Sequence, residues 1–87
     1  MQITILVGEK PDYQMKPGEA YKVKWHIENS DQTKDILVVC CYKCGKTGWT
    51  MEHDHQWHDD GTVTINPSML CPHCNAHYFV RASQIVE

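Results

Sequence analysis

Two Cys-x-x-Cys pairs, Cys41/Cys44 and Cys71/Cys74, stand 26 residues apart, and no other feature restricts the fold as tightly. Each pair supplies two sulfurs from one tight turn, so together they can close a tetrahedron of thiolates around one Zn²⁺. Gly45 directly follows the first pair and can take the positive φ such a turn needs, while Pro72 stiffens the second. The expectation is a structural Zn²⁺ held by Cys41, Cys44, Cys71 and Cys74. Size makes that cross-link useful. At 87 residues, 41% of them apolar, the chain forms one domain with a thin core, and domains this small often depend on a metal or disulfides.

The five cysteines leave one unpaired in any disulfide scheme, and Met1–Gly8 has neither the basic n-region nor the long apolar run of a signal peptide. Reduced thiols in a cytoplasm are therefore expected, host cytoplasm if the chain is phage-encoded. No stretch is long and apolar enough to span a membrane. A net charge of −3 lacks the basic excess of most nucleic-acid binders, and no polybasic segment suits a membrane surface.

The apolar pattern is that of strands. Ile3, Ile5 and Val7 mark a first strand, and Gly8–Gly18, with Pro11 and Pro17, a loop. Tyr21, Val23, Trp25 and Ile27 alternate with Lys22, Lys24, His26 and Glu28, which predicts a strand with one core face and one wet face. Asn29–Asp35 reads as a turn, Ile36–Val39 as the strand into the first knuckle, and Gly48–Met51 as the strand out of it. Thr62–Ile65 is a strand, Asn66 and Pro67 turn the chain, and Leu70 leads into the second knuckle. His77–Arg81 alternates again, with Ile85 and Val86 pairing back. No window carries a capped 3.6-residue period. The predicted fold is mainly β, a small antiparallel sheet of N-terminal strands (1–35) packed beside a zinc ribbon (36–87) made of the two knuckles.

Several residues invite chemistry. Cys40 is either an alternative ligand to Cys41 or a small apolar core residue, the latter favoured by the looser Cys40–Cys44 spacing. Cys71-Pro72-His73-Cys74 has the form of a thioredoxin-like redox site, but that chemistry needs a helix N-terminus that the following residues do not encode. Glu52–Asp60 packs three histidines and four carboxylates into nine residues, either a second metal or catalytic site or a solvated connection between knuckles.

The order Cys-x-x-Cys, His53-Asp54-His55, Cys-x-x-Cys-Asn75 resembles the zinc-stapled nucleases of the His-Me finger type, particularly the endonuclease VII kind. That resemblance implies His53 or His55 as general base, with Asp54 and Asn75 on a Mg²⁺ ion. A longer resemblance runs through Lys16-Pro17-Gly18-Glu19-Ala20, Trp57, Asp60–Leu70 and Asn75–Arg81. In these motifs the chain resembles a small zinc-ribbon-like family found in phage genomes and beside bacterial ubiquitin-like conjugation genes. Ala82-Ser83-Gln84 stands where that family tends to have Asp-Gly or Asn-Gly, a departure that weakens the last hairpin turn.

The resemblance brings no activity with it, so function rests on the surface. If Tyr78 and Val80 point inward, His77, Phe79 and Arg81 form an exposed aromatic and cationic patch, suited to binding a partner protein; in the reversed register Phe79 is core instead. The expected function is a non-catalytic zinc module, a phage or mobile-element accessory protein engaging a host enzyme or defence complex. Metal-dependent DNA cleavage is the alternative. Nucleic-acid binding through Lys22, Lys24, Lys43 and Lys46 comes third.

Overall fold

The computed structural model describes residues 1–87. Eight strands form two four-stranded sheets. The first holds β1 (Thr4–Leu6), β2 (Glu19–His26), β3 (Thr33–Cys40) and β4 (Thr47–Trp49), with a 3₁₀ turn at Asp12–Gln14. The second holds β5 (Asp54–Trp57), β6 (Val63–Leu70), β7 (His77–Arg81) and β8 (Gln84–Val86). Spatial order follows chain order in both. Every pairing is antiparallel except β1 with β2, which run parallel.

The chain divides between β4 and β5, not at residue 35. β2 and β3 form a long hairpin with seven paired positions, from Ala20↔Val39 to His26↔Thr33, so β3 belongs with the N-terminal strands. The ribbon's two knuckles consequently sit on different sheets. The polar stretch after Met51 is also more than a connection, since Asp54–Trp57 pairs with Asn66–Val63 as an edge strand.

The apolar face of β2 lies on the outer side of its sheet. Tyr21 packs with Val38, Cys40 and Met15, the last brought over by the Gly8–Gly18 loop, and Leu6 and Val23 lean on the same group. Ile27 falls just past the strand and is exposed. The larger core lies between the sheets, where Ile3, Ala20, Leu37, Val39 and Cys41 meet Val63, Ile65, Met69, Cys71, Ala76, Tyr78 and Val80. Lys22 shares that inner side, with Nζ 4.3 Å from the Trp57 ring centroid of the other sheet, a cation–π contact across the open end. A period of two shows that β2 is two-faced but not which face meets the second sheet.

Asn66 and Pro67 do not turn the chain. β6 runs on through them with a cis Asn66–Pro67 bond. Between Ile65↔Val80 and Met69↔Tyr78 the register shifts, so three β6 residues oppose Phe79 alone. A bulge of this kind bends the strand and re-aims its side chains.

The β7–β8 turn forms without glycine. Ala82 and Ser83 have φ of 49° and 62°, the mirror-image geometry that usually selects Asn-Gly. Hydrogen bonds hold it in place: Ser83 N–H donates to Val63 O at 2.7 Å, Ser83 Oγ accepts from Val63 N–H at 3.0 Å, and Ala82 N–H reaches Thr64 Oγ1 at 3.0 Å.

Candidate functional site

β3 and β4 deliver the first knuckle, β6 and β7 the second, and the two are built alike. Cys41 N–H donates to Lys46 O and Gly45 N–H to Cys41 O; Cys71 N–H donates to Ala76 O and Asn75 N–H to Cys71 O, all at 2.8–3.0 Å. Gly45 (φ 75°) and Asn75 (φ 62°) occupy the same left-handed position. Asparagine tolerates that conformation better than other residues with a Cβ, which explains its place after Cys74.

The four sulfurs converge. Cys41 Sγ lies 3.8 Å from Cys74 Sγ and Cys44 Sγ 3.6 Å from Cys71 Sγ, and all four lie within 4.8 Å of one another. Metal–sulfur bonds of about 2.3 Å in a tetrahedron require sulfur–sulfur edges of about 3.8 Å, so the donor set fits a four-coordinate metal ion. Electrostatics agree. Burial opposes ionisation of Cys71, but the N–H groups of His73 and Cys74 and the thiols of Cys44 and Cys41 outweigh it and bring Cys71 down to about 7. At Cys74 the Ala76 N–H favours the thiolate, yet desolvation and the other three thiols push it up to about 12. Negative charge crowded this way calls for a cation.

Cys40 is not in this cluster. It is fully buried in the outer core and its Sγ–H donates to Gly45 O at 3.2 Å; burial, then the charges of Cys41 and Glu19, pushes its thiol up. No helix follows Cys74, so the geometry of a thioredoxin-like site is missing.

The nuclease-like residues are dispersed. His55 Nε2 bonds Thr50 Oγ1 at 2.6 Å, and burial lowers its pKa. His53 Nε2 lies 3.3 Å from Ser68 O. Asp54 is exposed on β5, and Asn75 serves the knuckle. The four cysteines are the only group of three or more metal-type ligands brought together.

Of the two registers open to β7, the structure has the one with Tyr78 and Val80 buried, His77 and Arg81 exposed, and Phe79 half-buried. The ring centroids of His77 and Phe79 are 5.9 Å apart, and the Arg81 guanidinium sits 5.2 Å from the Phe79 centroid. This strand also holds a contact absent from the sequence reading. Ser68 Oγ and His77 Nε2 are 2.6 Å apart, hydrogen-bond range for a nucleophile and its base. The β6 bulge turns Ser68 toward β7, where Leu70↔His77 pairing places the imidazole. A serine three residues before one knuckle and a histidine three residues after it fall near each other once the knuckle makes a hairpin, and that was the available signal.

No helix of the chain is long and apolar enough to cross a membrane. Among curated proteins and among solved structures, nothing matches the chain. One family model does, over residues 7–87. With that match covering nearly the whole length, the chain belongs to the family described as bacterial ubiquitination-like system serine protease (BubE).

Proposed function

We propose that this chain is a serine-nucleophile hydrolase of a bacterial ubiquitination-like system, with Ser68 as nucleophile and His77 as general base. The observation that carries the reading is the 2.6 Å contact between Ser68 Oγ and His77 Nε2, in a family whose description names a serine protease. With Nδ1 protonated, Nε2 takes the Ser68 hydroxyl proton as Oγ attacks the substrate carbonyl carbon. The tetrahedral intermediate collapses, its leaving group departs with the proton from Nε2, and the acyl group stays on Oγ. Water then attacks the acyl ester, giving its proton to Nε2, and His77 returns that proton to Ser68 as the acid is released. No carboxylate faces Nδ1 within hydrogen-bond range, so the machinery is a dyad, with Phe79 packed beside the imidazole.

The four thiols in this reading hold a structural Zn²⁺, with Cys71 anchoring the end of β6 and Cys74 the start of β7, close to the Ser68–His77 contact. The ion's role is to keep the hairpin in register.

A fluorophosphonate probe tests the nucleophile. Labelling expected at Ser68 by peptide mass mapping should vanish in Ser68→Ala and fall by about 10³-fold or more in His77→Ala. Labelling that survives Ser68→Ala refutes the assignment. A non-catalytic module contacting a host or phage protein is the second reading, supported by exposed Arg81 and half-buried Phe79 beside His77. It expects no labelling at Ser68, and partner binding lost in Arg81→Ala.

A further inference from the structure

A cleft of about 270 Å³ opens between the two sheets beside the four thiols, lined by Val39, Gly48, His53, Met69, Leu70 and Tyr78 among others. Gly48 has no need to be glycine: its φ is not left-handed, and a Cβ built there meets nothing within 4 Å. It pairs with Val39, whose side chain lies in the core between the sheets, so a side chain at 48 would project into the cleft. Glycine inside a strand often stands where a ligand or another backbone comes close, and the space over Gly48 is open for one.

Beside that cleft runs an unpaired strand edge. β5 pairs with β6 only from Val63 to Asn66. Cys71 N–H donates to Ala76 O on the β7 side, so by strand alternation the N–H and C=O of Leu70 face the opposite, open edge. His53 adds an acceptor. With Nε2 donating to Ser68 O, its Nδ1 is buried without a partner, a deficit that a ligand N–H removes. Cysteines and tyrosine apart, the titratable groups on the cleft are Lys46, His53 and His73, and a Zn²⁺ ion on four thiolates, two of them the cleft-lining Cys41 and Cys71, would set two negative charges beside them, so the cleft favours neither sign of charge.

We propose that this cleft seats the acyl-side segment of a polypeptide substrate as an added strand on the open edge of β6, an uncharged segment passing over Gly48. The assignment rests on Ser68 acting as the nucleophile. Leu70 is two residues from Ser68, about 7 Å along a strand, so a chain paired at Leu70 brings its acyl carbon to Oγ. The side follows from the sheet order β5-β6-β7. His77, which protonates the leaving group, stands on the β7 edge of β6, and His53, which lines the cleft, meets Ser68 O just ahead of β5 on the other.

The test uses the full zinc-loaded chain and acetylated diphenyl phosphonates carrying one to four alanine residues. Ser68 phosphonylation, with loss of phenol, is followed by intact mass to separate KI from the inactivation rate constant. Lengthening the probe should lower KI by at least about tenfold, and Gly48→Val should cancel that gain with the rate constant changed by less than about twofold. Gly48→Ala should fall between. Valine suits a strand, and an unchanged thermal midpoint verifies folding. Labelling at Ser68 with KI independent of length, or undisturbed by Gly48→Val, overturns the cleft and leaves the nucleophile standing. No labelling at Ser68 by any probe overturns both.

Discussion

Cys44→Ser takes one thiol from the four-sulfur cluster and little else. The Cys44 side chain is exposed, so its loss leaves no cavity to add to the cost. What goes is the link between two hairpins on different sheets. The nearest points of that link, Cys44 and Cys71, enclose 26 residues, and closing a loop of that size costs the unfolded chain about 3–4 kcal/mol of entropy. This is a lower bound, since structural zinc in finger peptides binds with about 10–16 kcal/mol, comparable to the whole stability of a domain this long, about 4–13 kcal/mol. For a domain of this size each kcal/mol moves the midpoint by about 4–8 °C, so the loop term alone predicts a fall of about 12–30 °C. Circular dichroism melts with and without a strong chelator, together with metal analysis, read this directly. Wild type should carry about one Zn²⁺ per chain and drop by that amount on chelation. Cys44→Ser should melt low from the start and ignore the chelator. A metal-free wild type melting within a few degrees of the loaded protein would refute the reasoning, and would mean that Leu37, Val39, Val63, Ile65 and Val80 hold the sheets together unaided.

Burial, with a smaller contribution from Lys34, lowers the pKa of His55 below its ordinary 6.5. The unfolded chain therefore takes the proton first as pH falls, and the stability from neutral His55 is complete above 6.5 and lost as pH drops through the lower folded value. Urea midpoints from about pH 7 to about pH 5 should fall more steeply in wild type than in His55→Gln; equal slopes would remove His55 as the cause. Ala82→Gly relieves a left-handed alanine and should stabilise by about 1 kcal/mol in urea melts, a destabilisation being the contrary result. Asn75→Gly should keep both the metal and Ser68 labelling, because the knuckle needs only the left-handed backbone; loss of labelling with metal retained would return a catalytic role to Asn75.

The four-thiol cluster was legible in the sequence because its geometry is local. Each Cys-x-x-Cys turn sets two sulfurs by its own backbone bonds, and 26 intervening residues are enough to bring the turns together. The period of two in His77–Arg81 likewise divided the side chains of β7 into two sets, and the structure decided that His77 and Arg81 belong to the exposed one. Long-range pairing is not encoded that way. Alternation in β2 could not say that Tyr21 and Val23 face the outer side while Ala20 and Lys22 face the second sheet. Pro67-Ser68 carried the signature of a turn, and only the register shift between Ile65 and Met69 makes it a bulge. The sequence by itself determined four thiols at one point and strands around them. The tertiary structure decided that the hairpin closed by the second knuckle puts Ser68 against His77, because a hydrogen bond across strands depends on register, which the intervening knuckle and the bulge set together.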